Sequence, residues 1–178
     1  MSTAPPDALE RAKRVRLMAF DVDGVLTDGR LWYGPQGETL KAFSARDGLG
    51  MRLLAESGVA LALLTSRRSD AVARRAAELG IQHVLQGSED KQAPFATLLA
   101  KLALDPERAG YMGDDLVDLP VLRRCGFACA PAEAPERVRR HAHYVAHSPA
   151  GAGAVREVCE FVLHAQGNLE RALAPYLS

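Results

Sequence analysis

The stretch Val15-Arg16-Leu17-Met18-Ala19-Phe20-Asp21-Val22-Asp23-Gly24-Val25-Leu26-Thr27-Asp28-Gly29 decides how this chain folds. Val15 to Phe20 is a short apolar run that stops at Asp21, the pattern of a buried strand. Acids and turn-forming residues follow at once, so the strand delivers carboxylates to its carboxyl end. Further along, Val59 to Leu64 is a second buried run, closed by Thr65-Ser66. His83 to Leu85, Gly110 to Met112, Phe127 to Ala130 and Tyr144-Val145 read as further short strands. Between them lie helical patterns at Asp47–Glu56 (Asp cap, Gly58 stop), Asp70–Leu79, Lys91–Leu102, Leu116–Arg124, Glu133–His141 and Val155–Ala165. Leu31 to Phe43, with Gly34-Pro35-Gln36-Gly37 at its centre, predicts a β-hairpin inserted after the first strand. Strands alternating with helices predict an α/β fold: a three-layer, doubly wound parallel sheet of Rossmann type.

Composition agrees with one globular domain over residues 1–178, at 48% hydrophobic and 25% charged residues. Lys plus Arg and Asp plus Glu number 22 each, which excludes the broad basic footprint of a nucleic-acid binder and gives no reason for a membrane partner. Met1 to Arg16 lacks the apolar core of a signal peptide, and the run Val59 to Leu64 is too short to span a bilayer. A cytoplasmic protein is expected. Cys125, Cys129 and Cys159 have no partner pair at zinc spacing and read as small buried hydrophobes. His141, His143 and His147 read as structural or surface residues. Residues 167–178 form a tail whose Leu169, Leu173, Tyr176 and Leu177 fall at helical spacing, either a docking helix or a frayed end.

In a doubly wound sheet, ligands bind at the carboxyl ends of the strands. Four polar segments meet that condition: Asp21 to Gly29, Thr65-Ser66-Arg67, Lys91, and Gly113-Asp114-Asp115 with Asp118 one turn on. Such a set suits phosphoryl transfer through a carboxylate nucleophile, Asp21, with an aspartyl-phosphate intermediate. Mg²⁺ would screen the two anions from each other, held by the carboxylates of Asp21 and Asp114 and the backbone carbonyl of Asp23. The Asp23 side chain would protonate the leaving oxygen and then activate water. Lys91 would neutralise phosphate charge, and Thr65 and nearby N–H groups would bind phosphate oxygens. Asp115 and Asp118 would orient water or Lys91. Each segment has a plainer reading as well: Asp21 to Gly24 as a turn, Thr65-Ser66 and Asp47 as helix caps, Arg67 as a solvated cation.

Taken together, D-x-D-G-V-L-T-D at Asp21–Asp28, T-S-R at Thr65–Arg67, Lys91, and G-D-D-x-x-D at Gly113–Asp118 resemble the haloacid dehalogenase superfamily of phosphatases. Phe43 to Gly50, Gln86-Gly87, Gly113 to Pro120 and Gly153 to Cys159 are similar, within it, to the 3-deoxy-D-manno-octulosonate 8-phosphate phosphatases. The likeness runs from about Leu17 to Gly167. It implies a capless haloacid dehalogenase core, Mg²⁺, and hydrolysis of an eight-carbon sugar-acid phosphate on the way to lipopolysaccharide. It also implies a homotetramer in which a neighbouring subunit closes each site and the hairpin joins subunits. Substrate contacts are implied for Thr65, Ser66, Arg67 and Asp47. The chain departs from the family in two places: Ser66 stands where T-G-R is usual, and Ala152 where an Arg is usual before A-V-R-E. A nine-carbon sugar-acid phosphate is the alternative substrate, and a phospho-accepting receiver domain the alternative class.

Overall fold

The computed structural model describes residues 6–177. Six parallel strands form one sheet in the order β5-β4-β1-β6-β7-β8. They are β1 (Leu17–Phe20), β4 (Ala60–Thr65), β5 (His83–Gln86), β6 (Ala109–Met112), β7 (Phe127–Ala130) and β8 (Tyr144–Val145). The hairpin forms separately as β2 (Trp32–Gly34) and β3 (Gly37–Leu40). Side chains alternate across β1: Met18 and Phe20 enter one core, Leu17 and Ala19 the other. The first core is covered by α1 (Pro6–Arg14), α2 (Ala45–Glu56), α3 (Asp70–Glu78) and α7 (Ala154–Ala165). The second is covered by α4 (Gln92–Lys101), α5 (Leu119–Leu122) and α6 (Glu136–Arg139). This is the three-layer α/β architecture predicted from the alternation. A last helix, α8 (Leu169–Leu177), packs Leu169 and Leu173 on the first core and leaves Tyr176 and Leu177 exposed.

The departures have local causes. The segment before β1 had no helical prediction, yet α1 buries Ala8 and Ala12 completely. Its apolar stripe is made of alanines among charges, a weak hydrophobic signal at the right period. The helix expected at Leu116–Arg124 is split into a 3-10 turn, Leu116–Asp118, and the short α5, with Pro120 in its first turn. Pro135 keeps Ala134 out of helical geometry, so α6 starts at Glu136 rather than Glu133. His147 is a surface residue as expected, and Oε1 of Glu157 lies 2.8 Å from its Nδ1. The bonds that Glu157 accepts from His147, Tyr144 and Ser148 overcome its burial and hold it at about pKa 2.

Register sets the site. Phe20 pairs with Leu63 on one side and Met112 on the other. The next residues of the three central strands therefore emerge together: Asp21, Thr65 just beyond Leu64, and Asp114 just beyond Gly113. Thr65 pairs in turn with Gln86, so the chain leaving β5 brings Lys91 to the same edge.

Candidate active site

Asp21, Asp23, Thr65, Ser66, Arg67, Lys91, Asp114 and Asp115 line one cleft of about 340 Å³ at that edge. Lys91 lies at its floor, 3% exposed. Its Nζ is 2.8 Å from Asp21 Oδ1 and 2.7 Å from Asp118 Oδ1. Burial disfavours the ammonium, but the two carboxylates more than offset it and hold its pKa above the ordinary value. An uncompensated lysine would be poorly placed at a helix start; these partners account for it.

Asp118 is fully buried and uses both oxygens. Oδ1 accepts from Lys91 and from the Tyr111 hydroxyl at 2.6 Å. Oδ2 accepts from the backbone N–H groups of Asp114 and Asp115, at 3.0 and 3.1 Å. It thus holds the amine and the Asp114 loop in one arrangement. Asp115 is exposed and caps the 3-10 turn by accepting from the Leu116 N–H at 2.7 Å.

Asp21, Asp114 and Asp118 each place one carboxylate oxygen within 4.8 Å of the others. Asp114 Oδ1 is buried with no hydrogen-bond partner among the described residues. Burial, then the charges of Asp21 and Asp118, push Asp114 up to about 8. Burial, then Asp118, push Asp21 up to about 6 against the pull of Lys91. Clustered acids with a buried orphan oxygen have the donor chemistry of a hard divalent cation site. Because Asp118 is already saturated, Asp21 and Asp114 are the carboxylates open to a metal. Gly24 is required beside them: at φ +87° its missing Cβ would lie 2.1 Å from Asp114 Oδ2.

On the other side of the cleft, the half-buried Asp23 meets Lys41, which no sequence signal marked. Thr65 is buried, and its Oγ1 accepts from the Arg67 N–H at 3.2 Å. Arg67 is exposed, donates to the Tyr33 hydroxyl at 3.2 Å, and lies 3.9 Å from Asp23 Oδ2. Asp47 must be corrected on both counts. Ser44, not Asp47, caps α2, accepting from the Asp47 N–H at 3.3 Å. The Asp47 carboxylate is buried outside the cleft and accepts from the N–H groups of Gly153 and Arg156, at 3.3 and 2.8 Å, at the start of α7. It holds the Ala152 loop and does not line the cleft.

The 3-deoxy-D-manno-octulosonate 8-phosphate phosphatase of Salmonella typhimurium is 46% identical over 94% of this chain and 89% of its own length. The chain belongs to this phosphatase family. Its fold matches the Moraxella catarrhalis phosphatase of the same name, solved with a magnesium ion, a phosphate ion and a KDO molecule. That match has 41% identity and a TM-score of 0.94, over 97% of this chain and 99% of the other. A Legionella pneumophila protein assigned to the HAD-superfamily (subfamily III A) hydrolases matches at 37% identity and TM-score 0.91, over 96% and 94%. No family model matches the chain. Among the described residues no helix is long and apolar enough to cross a membrane.

Proposed function

We propose that this phosphatase hydrolyses 3-deoxy-D-manno-octulosonate 8-phosphate with Mg²⁺, releasing the free sugar acid for lipopolysaccharide precursor synthesis. The observation that carries the reading is the Lys91 bridge from Asp21 to Asp118 beside the unpartnered oxygen of Asp114. A carboxylate nucleophile, a cation against it and an open metal ligand meet there in one cleft. Asp21 attacks phosphorus; a bond forms from its carboxylate oxygen to phosphorus as the bond to the sugar oxygen breaks. Asp23 gives its proton to that departing oxygen. Asp23 then takes a proton from water, whose oxygen displaces Asp21 from the aspartyl-phosphate and frees phosphate. Lys91 neutralises charge on the nucleophile and the transferred group, while Thr65, Ser66 and Arg67 hold the phosphate and sugar oxygens. Mg²⁺, held by Asp21, Asp114 and the Asp23 carbonyl, would supply charge screening between nucleophile and phosphate.

The chain acts as a single capless domain in the cytoplasm, as a homotetramer whose neighbouring subunits complete each site. Trp32, Tyr33 and Leu40 of the hairpin support that assembly, at 56%, 64% and 65% exposed beside the cleft. The test is phosphate release from the eight-carbon substrate, with the nine-carbon sugar-acid phosphate alongside, in Mg²⁺ and with Asp21→Asn as control. Release that requires Asp21 is expected; an undiminished variant or an inert wild type would refute the proposal.

A further inference from the structure

Lys41 has an unusual position. It follows β3, where Thr39 and Leu40 are exposed, yet its own side chain is 1% exposed. Burying an ammonium is costly unless it is fully paired. Here it has two carboxylates, Asp23 through Oδ1 and Glu38 through Oε1 at 2.9 Å. Glu38 Oε2 in turn lies 4.0 Å from an Arg67 nitrogen, and Arg67 Nε lies 3.9 Å from Asp23 Oδ2. Asp23, Lys41, Glu38 and Arg67 therefore close a ring of alternating charge. The ring joins the loop after β1, the hairpin and the loop after β4. Among the described residues, Asp23 Oδ1 is taken by Lys41 while Oδ2 has no hydrogen bond.

We propose that Lys41, held by Glu38, is a positioning residue that fixes the Asp23 carboxyl so that its second oxygen faces the leaving group. This rests on the reading of Asp23 as the acid and base. A carboxyl bound at one oxygen loses its rotation and presents the other, which is what proton delivery to a departing oxygen needs. The hairpin then does more than join subunits, because it orients a group in its own chain's site.

The test compares p-nitrobenzyl phosphate with p-nitrophenyl phosphate, which differ by one methylene and carry no sugar acid. The benzyl alkoxide needs a proton to leave; the nitrophenolate does not. The value read is kcat/KM of the full chain in Mg²⁺. For Lys41→Met we expect a loss of about 30-fold on the benzyl ester and under about 3-fold on the phenyl ester, part of the roughly 10²–10⁴-fold a general acid supplies. Lys41→Arg should recover most of it. Asp23→Asn should show the same leaving-group dependence, more strongly. Equal losses on both esters in Lys41→Met, or no recovery in Lys41→Arg, would overturn the proposal. Should Lys41→Met be insoluble, Glu38→Gln decides: a selective benzyl-ester loss supports the proposal and a uniform one overturns it. Equal losses in Asp23→Asn would instead overturn the acid–base assignment and this proposal with it.

Discussion

Asp114→Asn separates what this site needs for function from what it needs for stability. In the metal-free protein, Asp114 sits about pKa 8 against an ordinary 3.8, because it is buried and faces Asp21 and Asp118. Between those values the folded chain holds a proton that the unfolded chain has released. Stability therefore falls as pH rises through that window and levels off above about 8. Asp21, raised to about 6, acts in the same sense in the lower part of the window. Each proton so held is worth about 1.4 kcal/mol per pH unit. Between pH 6 and 8, Asp114 alone then removes about 2 kcal/mol from the wild type, roughly 5 °C in Tm for a domain of this size. Asparagine keeps the shape without the titration, so Asp114→Asn escapes that loss and is the more stable protein at pH 8 without metal. Adding Mg²⁺ reverses the order, since only the wild type gains binding energy in the folded state. The assay is thermal unfolding in EDTA and in excess Mg²⁺ at pH 6 and pH 8. Parallel declines of the two proteins in EDTA would refute the reasoning, as would a Mg²⁺ shift of equal size in the variant.

Lys91→Met leaves Asp21 and Asp118 buried without their cation, so denaturant unfolding should show a loss of roughly 3–5 kcal/mol along with phosphatase activity. Tyr111→Phe removes a donor to the fully buried Asp118 and should cost about 1–3 kcal/mol in the same measurement. Its kcat should fall more than its KM rises, because Asp118 holds Lys91 rather than the substrate. If the chain assembles as the proposed homotetramer, Trp32→Ser with Leu40→Ser should give smaller species than the wild type in light scattering; an unchanged mass would remove the hairpin from the assembly.

The fold was legible because its decisive signals are local and redundant. Apolar runs such as Val59–Leu64 end in polar residues, and each is followed by a helical period, so alternation alone selects the parallel sheet. The cleft residues Asp21, Thr65, Lys91 and Asp114 were legible for a related reason: each follows a strand, and parallel register carries them to one edge. Lys41 and Tyr111 were not legible. Tyr111 lies within a buried strand, where a tyrosine reads as core, and only the tertiary position of Asp118 gives its hydroxyl a partner. Lys41 sits after a hairpin strand among exposed residues, and only the docking of the hairpin on the β1 loop buries it. Asp47 misled for the opposite reason. An acid at a helix start usually caps that helix, but here it crosses to the start of α7, more than a hundred residues away in sequence.

The zero net charge of the chain conceals an uneven division across the cleft. On one side are three carboxylates, Asp21, Asp114 and Asp118, against one ammonium, Lys91. That side carries a formal excess of two negative charges when all are ionised. On the other side, Asp23 and Glu38 face Lys41 and Arg67, and the charges balance. The excess is the amount one divalent cation neutralises, and it sits where Asp114 offers an oxygen with no other partner. Both lysines are almost wholly buried, and each is clasped by two acids. The division explains why two aspartates separated by a single residue, Asp21 and Asp23, are suited to different chemistry. Both lie beyond the end of β1, where the chain leaves extended geometry, and each meets its own buried cation, Asp21 with Lys91 and Asp23 with Lys41.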